Sequence, residues 1–159
     1  MLIKAKSIEG YSLHGLDGAF GKVRDLYFDD ARWTIRYLVV DTMNWMEDRA
    51  VLISPYALIG LYAGKKLIRT SLTMKQIEES PSAKTDEPVS MQFEESYHAF
   101  FGWPDYWRGS SVWGDSAIIA RRPEERRNEN QGGKPWDHHL RSVSAVVGYG
   151  IHARDGELG

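Results

Sequence analysis

The stretch Gly21-Lys22-Val23-Arg24-Asp25-Leu26-Tyr27-Phe28, the break Asp29-Asp30-Ala31-Arg32, and the run Trp33-Thr34-Ile35-Arg36-Tyr37-Leu38-Val39-Val40-Asp41 decide the fold class. Two β-rich runs separated by a short polar break read as a hairpin. In the second run Trp33, Ile35, Tyr37 and Val39 fall on one face by the two-residue period of a strand. The other face begins polar with Thr34 and Arg36 and ends apolar with Leu38 and Val40. A strand that is apolar on both sides near one end is expected to be covered on both sides there.

Shorter strands flank this hairpin. Tyr11–His14 precedes it, followed by the turn signal Asp17-Gly18, where glycine takes positive φ without steric cost. Ala50–Ile53 follows it and stops at Ser54-Pro55, because proline cannot donate to a ladder. Lys66–Ser71 reads as one more strand. Five or six short strands in about 80 residues would leave long edges exposed as an open sheet. The expected architecture is therefore all-β, a small closed barrel over residues 1–80.

Beyond residue 80 the pattern becomes helical. Thr73 is placed to cap a short helix, Met74–Glu79, which Ser80-Pro81 ends. After a polar connector, Ser90 caps a second helix, Met91–Phe101, which Gly102 stops. Phe93, Tyr97, Phe100 and Phe101 form one apolar stripe on it, and Glu94 and Glu95 sit near its positive end. With Trp103, Tyr106 and Trp107, these residues make residues 81–108 an aromatic arm. Such an arm has three uses: covering a face of the barrel, binding a protein partner, or stacking on nucleic-acid bases. Leu38, Val40, Trp103, Tyr106 and Trp107 are the candidate interface residues.

Residues 109–139 are dominated by Gly, Ser, Asn, Gln and blocks of charge, which bury too little apolar area to offset ordering entropy, so a flexible linker is expected. Residues 140–159 then repeat the N-terminus at an offset of 138. Leu2 matches Leu140, Gly10-Tyr11 matches Gly148-Tyr149, His14 matches His152, Asp17-Gly18 matches Asp155-Gly156, and Gly21 matches Gly159. This reads as the truncated start of a second module. Its orphan strand, Gly148–His152, is expected to be disordered or to pair with an exposed barrel edge. Deletion of residues 109–159 is expected to leave the thermal midpoint of the barrel nearly unchanged.

The quoted hairpin, with Gly10-Tyr11, Asp17-Gly18 and Val51-Leu52-Ile53-Ser54-Pro55, resembles the PRC-barrel family. The arm from Pro88 through His98-Ala99-Phe100-Phe101-Gly102-Trp103-Pro104-Asp105-Tyr106-Trp107 resembles the extension in bacterial proteins with two tandem PRC-barrels. Two branches of the family are better understood. One is the cytoplasmic domain of the photosynthetic reaction-centre H subunit, which influences electron and proton transfer to quinone. The other is the C-terminal domain of ribosome maturation factors, which docks on a ribosomal protein. The resemblance implies a non-catalytic, protein-contacting barrel.

Composition narrows the chemistry further. The 159 residues contain no cysteine, which excludes disulfides, thiolate metal sites and cysteine nucleophiles. The formal net charge of -2 lacks the basic excess of a dedicated nucleic-acid binder. No apolar run reaches the ~20 residues of a membrane span, and no signal-peptide core opens the chain, so a cytoplasmic protein is expected. The histidines His14, His98, His138, His139 and His152 form no nucleophile–base–orienter set. His98 reads as boundary packing beside the stripe. His138 and His139 point apart as neighbours and make a poor metal pair with Asp137. Asp25, Asp29, Asp30 and Asp41 flank strands, where Asp commonly satisfies turn backbone. The glycines are spaced as turns rather than as a phosphate loop. The reading is thus no enzyme, no cofactor and no metal: a homodimeric interaction or scaffolding module, with an RNA- or ribosome-associated factor and a small-ligand binder as alternative classes.

Overall fold

The computed structural model describes residues 3–30, 32–42, 46, 50–81, 89, 91–104, 139–148, 151–153 and 156–158. Six strands come first: β1 (Ser12–His14), β2 (Ala19–Asp29), β3 (Thr34–Asp41), β4 (Ala50–Ile53), β5 (Leu58–Tyr62) and β6 (Leu67–Thr70). The helices α1 (Met74–Glu79) and α2 (Met91–Phe101) follow. The chain is next described at β7 (Leu140–Ser142), a single helical turn α3 (Val143–Val146), and a hairpin of β8 (Ile151–Ala153) and β9 (Gly156–Leu158).

The strands order as β4-β3-β2-β1-β6-β5, with β7 added on β2. The expected closed, all-β barrel is overturned on two counts. β4 and β5 end the sheet and do not pair with each other, so it stays open. Helices α1 and α2 also belong to the fold, and the sheet is mixed, since β1 runs parallel to β6. The corner between β4 and β5 explains the opening. Ser54 accepts from the Tyr56 amide and begins a 3-10 turn, Pro55–Ala57, that turns the chain out of β4 instead of letting it fold back as a paired hairpin. β5 itself has no alternating pattern in Leu58-Ile59-Gly60-Leu61-Tyr62, so periodicity did not find it.

Four bulges bend the sheet: Phe20 and Arg24 are extra residues on β2, Arg36 on β3 and Ile59 on β5. Phe20, Val23, Leu26, Leu38, Val40, Val51, Ile53 and Ile68 meet in one apolar core with Leu72 and Ile77, the latter from α1. Gly21 is required where β2 crosses β3, because a Cβ there would sit 2.7 Å from Val40 Cγ1 and collide with the Asp41 carbonyl. Thr73 caps α1 as expected, and it does so through a reciprocal box with Gln76 that was not foreseen.

The other face of the hairpin carries a second cluster of Tyr37, Val39, Ala50 and Leu52, roofed by Tyr97 of α2 with Phe93, Phe101 and Trp103 around it. The described part of the arm, α2 with Trp103, therefore covers this face of the sheet. The Arg36 bulge also corrects the expected face of β3. Tyr37 and Val39 do share a face, but Ile35 joins the principal core with Leu38 and Val40, and Trp33 lies outside the strand in the turn.

Residues 5–8 and 143–146, at the same offset of 138, both form a short helical turn, followed in each case by a positive-φ glycine, Gly10 at 78° and Gly148 at 96°. The β8–β9 pairing of His152 with Glu157 has the register of His14 with Ala19. The strand expected to seek a barrel edge is thus paired locally with β9, and it is β7 that joins the sheet.

Candidate functional site

Of the expected interface residues, Leu38, Val40 and Trp103 are among the described ones. Leu38 and Val40 are 2% and 0% exposed, their side chains consumed by the principal core, so they offer no contact surface. Trp103 is half-buried, stacked on Phe101 at 4.3 Å and edge-on to His98 at 5.7 Å. Tyr106 and Trp107 lie outside the described residues, as does His138. Phe100, expected in the buried stripe, is 42% exposed. The buried face of α2 is rotated toward Glu94, Tyr97 and His98.

That rotation buries a polar group under the arm. Tyr37, Glu94 and His98 are each at most 1% exposed. The Tyr37 hydroxyl lies 2.7 Å from Glu94 Oε1 and 2.8 Å from His98 Nε2, while His98 Nδ1 is 3.0 Å from the Pro104 carbonyl. Proton counting constrains this chain. A carbonyl only accepts, so Nδ1–H donates to Pro104. If Tyr37 donates to a Glu94 carboxylate, Nε2 must also carry a proton and donate to the Tyr37 oxygen. If Tyr37 donates to Nε2, Glu94 must be the protonated partner. Both arrangements hold one proton beyond those of a carboxylate and a neutral imidazole, placed on either end of a tyrosine bridge. Reading Glu94 as an end-of-helix charge and His98 as boundary packing missed this. Their i, i+4 spacing beside Tyr97 was the available signal.

A second constellation lies at the β2–β3 turn. Asp29 accepts the Arg32 amide at 3.0 Å and the guanidinium of bulged Arg36 at 2.9 Å, a buried ion pair that fixes the turn from below. Above it Trp33 stands 82% exposed with a left-handed backbone at φ 52° and its ring 5.6 Å from Phe28. Sequence reasoning placed Trp33 in the strand core and so overlooked it. The Asp-rich loop before it was the only sign that a turn could extend so far.

Asp25 of β2 and Asp30, just past its end, hold the C-terminal segment. Asp25 accepts from the Ser144 amide at 3.1 Å, the Ser144 hydroxyl at 2.9 Å and the Ser142 hydroxyl. Asp30 accepts from His139 Nδ1 at 2.9 Å and Arg141 Nε at 3.0 Å. Among the described residues no group of three or more His, Asp or Glu is placed to hold a metal ion, and no helix is long and apolar enough to cross a membrane. Compared with known proteins, the chain matches no family model and no curated protein.

Proposed function

We propose that the chain is a non-catalytic interaction module that presents Trp33 to a protein partner. The observation that carries this reading is the conflict between the residue and its place. A left-handed conformation costs a non-glycine residue roughly 1–2 kcal/mol, and glycine or asparagine would fill the turn without that cost. An 82% exposed indole returns little of it through burial. Tryptophan is the side chain most often found to anchor protein interfaces, and strain concentrated at an exposed aromatic is a mark of function rather than folding. The buried Asp29–Arg36 pair beneath supports the reading, because it holds the turn rigid in the absence of a partner. The resemblance stated from sequence points the same way, since both better-understood branches of that family work by contact.

Trp33→Gly separates the two roles of the position. It removes the indole and relieves the backbone together. The expected outcome is a thermal midpoint equal to or above that of the unaltered chain, with loss of association. Association is read first as self-association by light scattering, the partner of first choice being a second copy of the chain, and then as capture from cell extract. A Trp33→Gly chain that associates as before would sink the proposal.

A further inference from the structure

The edge of β2 opposite β3 serves two different strands. Its first half pairs with β1, Ser12 opposite Lys22. Its second half pairs with β7, Tyr27 opposite Ser142, Phe28 opposite Arg141 and Asp29 opposite Leu140. The second arrangement is the unexpected one, because β7 begins at residue 140 and its sequence repeats the start of the chain instead of continuing the module it joins.

The grip on this segment is specific as well as backbone-based. Asp25, next to the Arg24 bulge, takes both serines, 142 and 144, at the first turn of α3, and Ser142 in turn accepts from the Ala145 amide. Asp30 takes His139 and Arg141 by its carboxylate, and its own amide donates to the His139 carbonyl at 2.8 Å. Leu140 reaches the cluster under the arm, and Val143 the principal core. α3 also contacts the Ala5–Ile8 turn, its equivalent at the offset of 138. Like meeting like is the signature of a twofold relation between units. Main-chain pairing with alternate side-chain anchors is the physics of strand addition, in which the ladder supplies affinity and the anchors selectivity. The N-terminal equivalent of this segment lacks those anchors: Met1 stands for His139, Ile3 for Arg141, Lys4 for Ser142 and Lys6 for Ser144.

We infer that the β2 edge between Asp25 and Asp30 is a strand-acceptor site by which one module takes up the first strand and turn of another, selecting arginine and serine at the positions of Arg141, Ser142 and Ser144, and that residues 139–146 are its resident occupant. The site adjoins the Trp33 turn at Phe28, and its test reads Asp25 and Asp30, leaving Trp33 unaltered.

A fluorescent peptide with the sequence of residues 137–148 is titrated, by anisotropy, into the full chain carrying Arg141→Glu and Val143→Asp, which expel the resident segment. Saturable binding is expected, at least about tenfold tighter than to the unaltered chain, where the tethered segment competes at high effective concentration. Adding Asp25→Asn and Asp30→Asn should weaken it about tenfold or more, as should replacing the peptide by one with the sequence of residues 1–10, because the charge-assisted hydrogen bonds are lost. No binding to a folded expelled variant, or binding indifferent to Asp25 and Asp30, overturns the inference. Should that variant not fold, hydrogen exchange on otherwise unaltered chains decides. The amides of residues 141–146 should exchange at least about tenfold faster in Asp25→Asn/Asp30→Asn while those of β3 and β6 do not change. Exchange at the free-peptide rate in the unaltered chain overturns it.

Discussion

The two faces of the β2–β3 hairpin are covered by different means. The principal core is apolar throughout, built by strands β1 to β4 and β6 and closed by α1. The face under α2 mixes Val39 and Leu52 with tyrosines, a glutamate and a histidine, and its hydrogen bonds run from sheet to helix. Apolar packing is non-directional and accepts many arrangements of the same volume. A buried hydrogen-bonded group is satisfied in few. The first face thus supplies most of the stability, and the second sets where the arm sits. Tyr37 belongs to β3, yet its hydroxyl finds its partners 57 and 61 positions later in the chain.

The largest effect is expected where that division is broken on its apolar side. Leu26→Ala empties a fully buried site in the principal core. A loss of about 2–5 kcal/mol is expected from denaturant unfolding, and the arm should be lost in the same transition, because its platform goes with it. A loss below about 1 kcal/mol would mean that the core collapses around the deletion.

Tyr37→Phe addresses the other side with almost no change of shape. It leaves Glu94 and His98 without their bridge in a buried site, and a cost of about 1–3 kcal/mol is expected. Glu94→Gln should cost less than Tyr37→Phe, because a side-chain amide can donate to the Tyr37 oxygen as a protonated carboxyl would. Tyr37 then donates to Nε2, and the imidazole is held neutral with its proton on Nδ1. Long-range 1H–15N spectra of His98 read this directly. An Nε2 that still bears a proton in Glu94→Gln would contradict the bridge as drawn.

The legibility of these features in sequence follows their range. Thr73 made the α1 cap readable, since the partners of a cap are local. The β2–β3 pairing was equally plain. The face assignment of β3 failed because the Arg36 bulge is fixed by Asp29 across the hairpin, and a period of two carries no trace of an inserted residue. The closed barrel failed for a related reason. Whether β4 meets β5 depends on the Ser54–Ala57 corner, and β7 pairs the half of β2 that β1 leaves free without closing the sheet. At the arm, the aromatic stripe was visible, but its rotation by one helical position, which buries Glu94 and His98 and exposes Phe100, is decided by Tyr37 on a distant strand.

The smallest expected effect tests whether α1 belongs to the apolar side in energy as well as in position. Thr73→Ala removes the hydroxyl that accepts the Gln76 amide, and a capping residue is worth about 0.5–2 kcal/mol. A six-residue helix has no independent stability, so the cap acts only through the docking of Ile77 and Met74 on the core. Thr73→Ala and Ile77→Ala should therefore be less than additive in a double-mutant cycle, because once Ile77 no longer anchors the helix its cap has little left to hold. The arm should not register the change. His98 resonances that stay fixed in Thr73→Ala but move in Tyr37→Phe would show that the two coverings of the hairpin are energetically separate, and coincident shifts would show that α1 and α2 respond as one layer.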